Sequence, residues 1–202
     1  RAHTLPRDAG RANFHKRRGT PHMPNALKRR RTWIGSPVPI IAFVGRTNSG
    51  KTTLIEQLIP VLARRGHRVA TIKRHHYGDF EADHPGKDSW RHAQAGSVAT
   101  ALVGANQLAI FQRAEEVPPH TIVRLFATRP DVVLAEGYKD SLLPKVEIVR
   151  NARGGEPLCR KEDQLVALVT DGDWDLGVPI FGLQDSDALA GWLIDQFLDG
   201  AP

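Results

Sequence analysis

The sequence predicts one three-layer α/β domain with a mainly parallel sheet, and three observations predict it. Short continuous apolar runs with β-branched residues recur along the chain, beginning with residues 38–44 (VPIIAFV), as strands buried on both faces require. Stretches with apolar residues at helical spacing separate these runs. The first run also leads straight into a glycine-rich segment and then a helical pattern, which is the order strand, tight loop, helix.

The glycine-rich segment is Gly45-Arg46-Thr47-Asn48-Ser49-Gly50-Lys51-Thr52, followed by Thr53. It matches G-x-x-x-x-G-K-[ST] at every position, so the predicted architecture is that of a P-loop NTPase. The glycines let the backbone turn tightly and present N–H groups to phosphate oxygens. Lys51 supplies a mobile cation for the β/γ-phosphates, and the Thr52 hydroxyl is placed to ligate Mg²⁺. A helix beginning at about Lys51 points its positive end at the anion.

The elements follow in order. Leu54, Ile55, Leu58, Ile59 and Leu62 share one helical face, with Arg64 and Arg65 in the last turn and Gly66 to close it. Pro60, inside this pattern, is expected to kink the helix or start a new turn. Residues 68–73 read as a second strand. A polar, irregular stretch, residues 78–86, comes next, and Asp88 is placed to cap a short helix ending near Gly96. Residues 98–103 and 108–112 are short strands around a Gly104-Ala105-Asn106 turn. Pro118-Pro119 opens a helix carrying Ile122, Val123, Leu125 and Phe126. Residues 132–135 form a buried strand ending in Glu136-Gly137, and residues 146–149 and 165–169 are two more. Asp185 or Ser186 caps a last helix with Ala188, Leu189, Trp192, Leu193 and Phe197 on one face.

Charge divides the chain in two. The net charge is +6, but residues 1–37 hold ten Lys/Arg and one acid, while the remainder holds 18 Lys/Arg against 21 Asp/Glu. Residues 1–37 are therefore expected to be a disordered basic arm, and residues 38–202 the folded domain. The arm lacks interleaved aromatics, so a nucleic-acid partner is not expected. The chain starts at Arg1 and its one methionine is Met23, which suggests a native start near Met23 or a piece of something longer. No 18-residue apolar segment predicts a membrane span, no apolar core marks the arm as a secretory signal, and one cysteine, Cys159, precludes an internal disulfide. A cytoplasmic protein is the expectation.

Glu136 is the candidate second half of the site. It ends an apolar strand, where an acid can hold Mg²⁺ or orient the attacking water, and the backbone at Gly137 can approach a γ-phosphate. Asp131 starts the same strand at the wrong end. Asp83, in the loop after the second strand, is a further candidate Mg²⁺ ligand. His75 and His76 lack the partners and spacing of a metal site. Asp171 or Asp173, after the strand at 165–169, is placed to read a base, although the usual Asn/Thr-Lys-x-Asp string is absent and an ordinary Asp-Gly turn fits equally. Arg46 is a possible in-chain contributor to γ-phosphate chemistry.

The segments GRTNSGKTTLIEQLIPVLARRG, TIKRHH, DHPGKDSWRHAQAGS, DVVLAEGYKD and LPKVEIVRN together resemble the molybdopterin-guanine dinucleotide biosynthesis protein B (MobB) family, from about residue 38 onward. His84 to Ser89 (HPGKDS) and Glu136 to Lys139 (EGYK) are its most particular motifs. The resemblance implies a GTP- and Mg²⁺-binding homodimer with weak GTPase activity. It implies an accessory role beside the molybdopterin guanylyltransferase that attaches GMP to molybdopterin, with the molybdopterin cofactor as a second partner. Carried over by motif, residues 45–53 bind phosphates and Mg²⁺, and Glu136 lies at the γ-phosphate. Two other functions compete. One is an ATP-dependent small-molecule kinase with Arg74, His75 or Arg91 holding an acceptor. The other is a polyanion-binding module working through the arm.

Overall fold

The structure is a computed structural model that describes residues 35–75, 83–153 and 155–199. The expected arm lies almost wholly outside these residues, as do His76 and Asp79. Six strands form one sheet: β1 (Ile40–Val44), β2 (Val69–Lys73), β5 (Val132–Glu136), β6 (Lys145–Val149), β7 (Leu165–Thr170) and β8 (Ile180–Phe181). The order is β2-β5-β1-β6-β7-β8, and every neighbouring pair is parallel. The expected α/β class and parallel sheet are present.

β1 sits in the middle and shows why the apolar run is continuous. Ile41 and Phe43 pack with Leu54, Leu58 and Leu62 of α1 (Lys51–Arg64) and with Leu189 and Leu193 of α4 (Ser186–Leu193). Ile40, Ala42 and Val44 enter a second cluster on the opposite face, with Ile72, Val133, Ala135 and Val123 of α3 (Pro119–Leu125). Period-2 alternation therefore still operates, but both phases are apolar because both faces are covered.

The second face is covered only partly by helix, and buried charge on β6 holds the rest. Lys145 and Glu147 are each 1% exposed and alternate with Val146 and Ile148. The Lys145 ammonium donates to the carbonyls of Ser141, Leu143 and Asp163. The Glu147 carboxylate accepts from the Leu158 N–H at 2.6 Å and the Cys159 N–H at 2.9 Å. Burial pushes the Lys145 pKa down and the Glu147 pKa up, and their partners are what make these groups tolerable there. Together they pin residues 141–143 and 158–163 against the sheet. Burial first, and Glu147 second, raises the Cys159 thiol pKa to about 11, so this cysteine is inert packing.

Four details depart from the sequence reading. α1 runs unbroken through Pro60, because Pro60 is exposed and the carbonyl it leaves unpaired can meet water. The cap of α2 (Asp88–Gln94) is the Lys87 backbone, with Asp88 inside the first turn. β8 is a two-residue edge strand too short to leave a periodic signal. Among the described residues β3 (Ala99–Val103) and β4 (Leu108–Gln112) pair only with each other, as an antiparallel hairpin outside the main sheet. The end of α1 matches the expectation: Gly66 has φ 89°, and the N–H groups of Gly66 and His67 close onto the Ala63 and Leu62 carbonyls.

Asp131, at the start of β5, receives the Arg68 backbone N–H at 2.7 Å and its guanidinium at 2.7 and 3.1 Å. These bonds hold the carboxyl at about 2, below its unfolded value, so their stabilisation is present above about pH 4. It is lost as pH falls through the folded value. Asp131→Asn should therefore flatten the fall in unfolding free energy between about pH 4 and pH 2, read by urea titration at several pH values.

Candidate functional site

The turn from β1 into α1 is fixed by a close approach. A Cβ on Gly45 would lie 2.5 Å from the Ile148 carbonyl oxygen of β6 and 2.7 Å from the Ser49 hydroxyl, and its φ is 146°. Gly50, the helix cap, has φ 99° and no side-chain cap bond. The first intrahelical bond runs from the Leu54 N–H to the Gly50 carbonyl at 2.9 Å. The N–H groups of Gly50, Lys51, Thr52 and Thr53 are thus the four donors that an α-helix leaves without intrahelical acceptors. They open toward the C-terminal ends of the strands, where ligands bind in parallel α/β sheets.

Lys51 curls back over the loop, donating to the Gly45 carbonyl at 3.1 Å and the Arg46 carbonyl at 2.9 Å. Burial lowers its pKa, Glu136 opposes that shift and Lys73 adds to it. Thr52 donates its hydroxyl to the Glu136 carboxylate, 3.1 Å from each oxygen. Parallel pairing sets Lys73 of β2 opposite Glu136 of β5, and their charged groups stand 3.6 Å apart. Sequence reasoning missed Lys73, because the adjacency of β2 and β5 is a tertiary fact. An oxygen pair made of one hydroxyl and one carboxylate suits Mg²⁺, which takes few protein ligands and keeps waters and phosphate oxygens. Among the described residues no three His, Cys, Asp or Glu side chains gather as a transition-metal cage.

Other candidates are placed differently. The Gly137 N–H donates to the Phe43 carbonyl at 2.9 Å, so the sheet ladder, not a phosphate, takes it. Gly137 and Tyr138 both have positive φ, 93° and 62°, and Arg74 stacks over the Tyr138 ring at 5.8 Å. Asp83 accepts from the His84 N–H at 2.8 Å and the Ser89 hydroxyl at 3.1 Å, which ties the loop to α2. Asp171 Oδ1 accepts the Asn151 N–H at 2.7 Å, joining the ends of β6 and β7. Arg46 runs against Gly155, where a Cβ would come 2.3 Å from its Nε, on the β6 side of the loop and away from Glu136. Thr47 and Asn48 are exposed at the loop's crest, with Asn48 at φ 59°, and Ser49 is buried beneath.

Fold and loop together define the class: a P-loop protein on a parallel α/β sheet. The sequence profile of the family described as Molybdopterin guanine dinucleotide synthesis protein B (MobB) matches residues 40–171. The chain belongs to that family. It is 30% identical over 163 residues to the molybdopterin-guanine dinucleotide biosynthesis adapter protein of Escherichia coli, covering 78% of this chain and 93% of that one. It is 31% identical to the adapter protein of Haemophilus influenzae, covering 80% and 93%. Among solved structures, MobB of Bacillus subtilis superposes with a TM-score of 0.62 at 28% identity, covering 80% of this chain and 99% of that one. A MobB homologue from Bacillus stearothermophilus gives 0.55 at 30% identity, covering 78% and 96%. These likenesses lend no support to the kinase alternative. A shorter match, 44% identity over 66 residues, relates a third of the chain to a Streptomyces griseus urease accessory protein, UreG 2.

Because the loop's first glycine has neither room nor backbone freedom for a side chain, Gly45→Ala should cost about 1–3 kcal/mol of stability. It should also displace the loop from β6. Chemical denaturation gives the first effect, and protection of the loop amides from hydrogen exchange gives the second.

Proposed function

We propose that this chain is a GTP-binding adapter in molybdopterin guanine dinucleotide biosynthesis, working beside the guanylyltransferase that joins GMP to molybdopterin. The carrying observation is the meeting of Thr52, Glu136 and Lys73 at one flank of the helix-capped loop. Family membership and the adapter relatives support the pathway. A soluble, cytoplasmic location is part of the reading. No helix among the described residues is long and apolar enough to cross a membrane.

In the bound state the four free N–H groups of the α1 terminus cradle the phosphates. Lys51 exchanges the Gly45 and Arg46 carbonyls for β/γ-phosphate oxygens and neutralises their charge. Thr52 and Glu136 are the residues that would hold Mg²⁺, with Asp83 the remaining candidate. Held there, the ion would supply charge stabilisation to the phosphates. Glu136, paired with Lys73, orients water at the γ-phosphate. Hydrolysis is weak on this reading, because the Arg46 guanidinium faces Gly155 and no glutamine in the described loop points at the γ-phosphate.

The homodimer has its own support. Two-stranded hairpins are marginal in isolation, and among the described residues β3–β4 has no third strand. One of its faces presents Ala101, Val103, Leu108 and Ile110, with Val103 80% exposed, and Val98 at its base is 85% exposed. A second copy of the same hairpin covers these side chains and pairs a free edge symmetrically.

Equilibrium titration with Mg-GTP and Mg-ATP tests the site. GTP is expected to bind preferentially, and Lys51→Ala to lose most triphosphate affinity, about tenfold or more. A Lys51→Ala protein of full affinity would overturn the assignment. Replacing Ile110 by Glu should convert dimer to monomer in sedimentation equilibrium while leaving GTP affinity in place.

A further inference from the structure

We infer that Arg150 selects guanine over adenine at this site, through its guanidinium donating to the O6/N7 edge of the base. The inference rests on the nucleotide reading above and extends it to a residue outside the phosphate loop.

The direction of the nucleotide follows from the loop's two unlike flanks. Thr52, Glu136 and Lys73 set the metal and γ-phosphate end on the β5 side. The phosphate chain crosses the α1 terminus, so the nucleoside leaves on the other side, over the ends of β6 and β7. There Ser49, Thr53, Arg150, Leu183 and Gln184 surround a cleft of about 30 Å³. Arg150 roofs it. Its guanidinium lies over Gly50, where a Cβ would come 3.3 Å from Nη2, 3.5 Å from Nε and 3.6 Å from Cζ. A Cβ at Gly50 would press against it, so glycine leaves the guanidinium its place over the loop.

The polar groups here are unevenly spent. Arg150 Nε is buried with no partner, and the Ser49 hydroxyl, in a residue 2% exposed, is equally unpaired. No described ion pair involves Arg150, although Glu147 and Glu156 line a second small cavity beside it. Glu147 is occupied by the Leu158 and Cys159 N–H groups. The groups at the end of β7 are engaged as well. Asp171 holds Asn151 through its carboxylate and its carbonyl, and the Thr170 hydroxyl accepts the Gly172 N–H. A planar set of donors thus waits on the nucleoside side of the loop, while Glu147, Asp171 and the Thr170 hydroxyl are already in use.

Base chemistry then decides the preference. Guanine offers two acceptors, O6 and N7, along one edge, and a guanidinium can donate to both at once. Adenine offers one acceptor beside the N6 amino group, which is a donor, and a guanidinium has no acceptor to give it.

The test is equilibrium binding of Mg-GTP, Mg-ITP, Mg-ATP, 7-deaza-GTP and inorganic tripolyphosphate to wild type, Arg150→Ala and Arg150→Lys. Wild type should bind GTP and ITP alike, since both carry O6 and N7, and ATP and 7-deaza-GTP more weakly. Arg150→Ala should lose roughly tenfold in GTP affinity while tripolyphosphate binding stays unchanged, so the preference over ATP collapses. Arg150→Lys keeps the charge without the planar fork and should lose most of the preference too, which also serves if the alanine variant folds poorly. A preference that survives in both variants overturns the inference and leaves the phosphate site standing. A parallel loss of GTP and tripolyphosphate binding overturns it as well, placing Arg150 on the phosphates. Failure of wild type to bind either GTP or tripolyphosphate removes the site reading itself, and the inference with it.

Discussion

The closeness of Gly45 to the Ile148 carbonyl is the constraint on which the site depends. β1 must hand over to α1 within a few residues while lying against β6, and the backbone has space for no Cβ there. Pressed into that corner, the loop cannot drift from the ends of the strands. The helix that follows therefore starts with its unpaired N–H groups facing the same edge of the sheet as Glu136. The apolar stripe of α1 against Ile41 and Phe43 fixes the helix axis, so core packing aims the N-terminal end of α1. Sequence, packing and site are one mechanical chain here.

The opposite face of the sheet obtains its cover by different means. A second full-length helix would normally sit there. Instead α3 covers the β2–β5–β1 side, and loops cover β6 and β7. Loops bring carbonyls and N–H groups that need partners. Lys145 and Glu147 supply a donor cluster and an acceptor pair on alternate residues of one strand, and both are almost fully buried. Exchanging either for an apolar residue would orphan the backbone groups it satisfies, which is why charge is retained in an otherwise apolar strand.

How much of this was legible in the sequence depended on whether the signal was local. The phosphate loop, the start of α1 at Lys51 and the strand ending in Glu136 were readable because one short segment dictates each. Pro60 misled, because its cost depends on whether the helix face at that point is wet, and that is settled by tertiary packing. Lys145 read as a residue before the strand. A lysine inside a buried strand is improbable until the carbonyls of Ser141, Leu143 and Asp163 converge on it. Gly137 looked free to meet a phosphate, but β1–β5 pairing claims its N–H. The approach of Lys73 to Glu136, and of Arg150 to Gly50, was invisible for the same reason. Each reaches the loop through strand order, and strand order leaves no mark within a single segment.

That strand order also explains why the two flanks of one loop differ in chemistry. β5 and β2 lie on one side of β1, and they bring a carboxylate and an ammonium to within 3.6 Å of each other, with the Thr52 hydroxyl on the carboxylate. β6 and β7 lie on the other, and they bring an arginine, an asparagine and a closed Asp171 turn. A symmetric cradle would accept a phosphate chain in either direction. Here the Glu136 carboxylate is offset by the Lys73 ammonium on one flank, while the other flank carries the donors of the Arg150 guanidinium. The two flanks of the loop thus differ in chemistry because of which strands the crossovers place on either side of it.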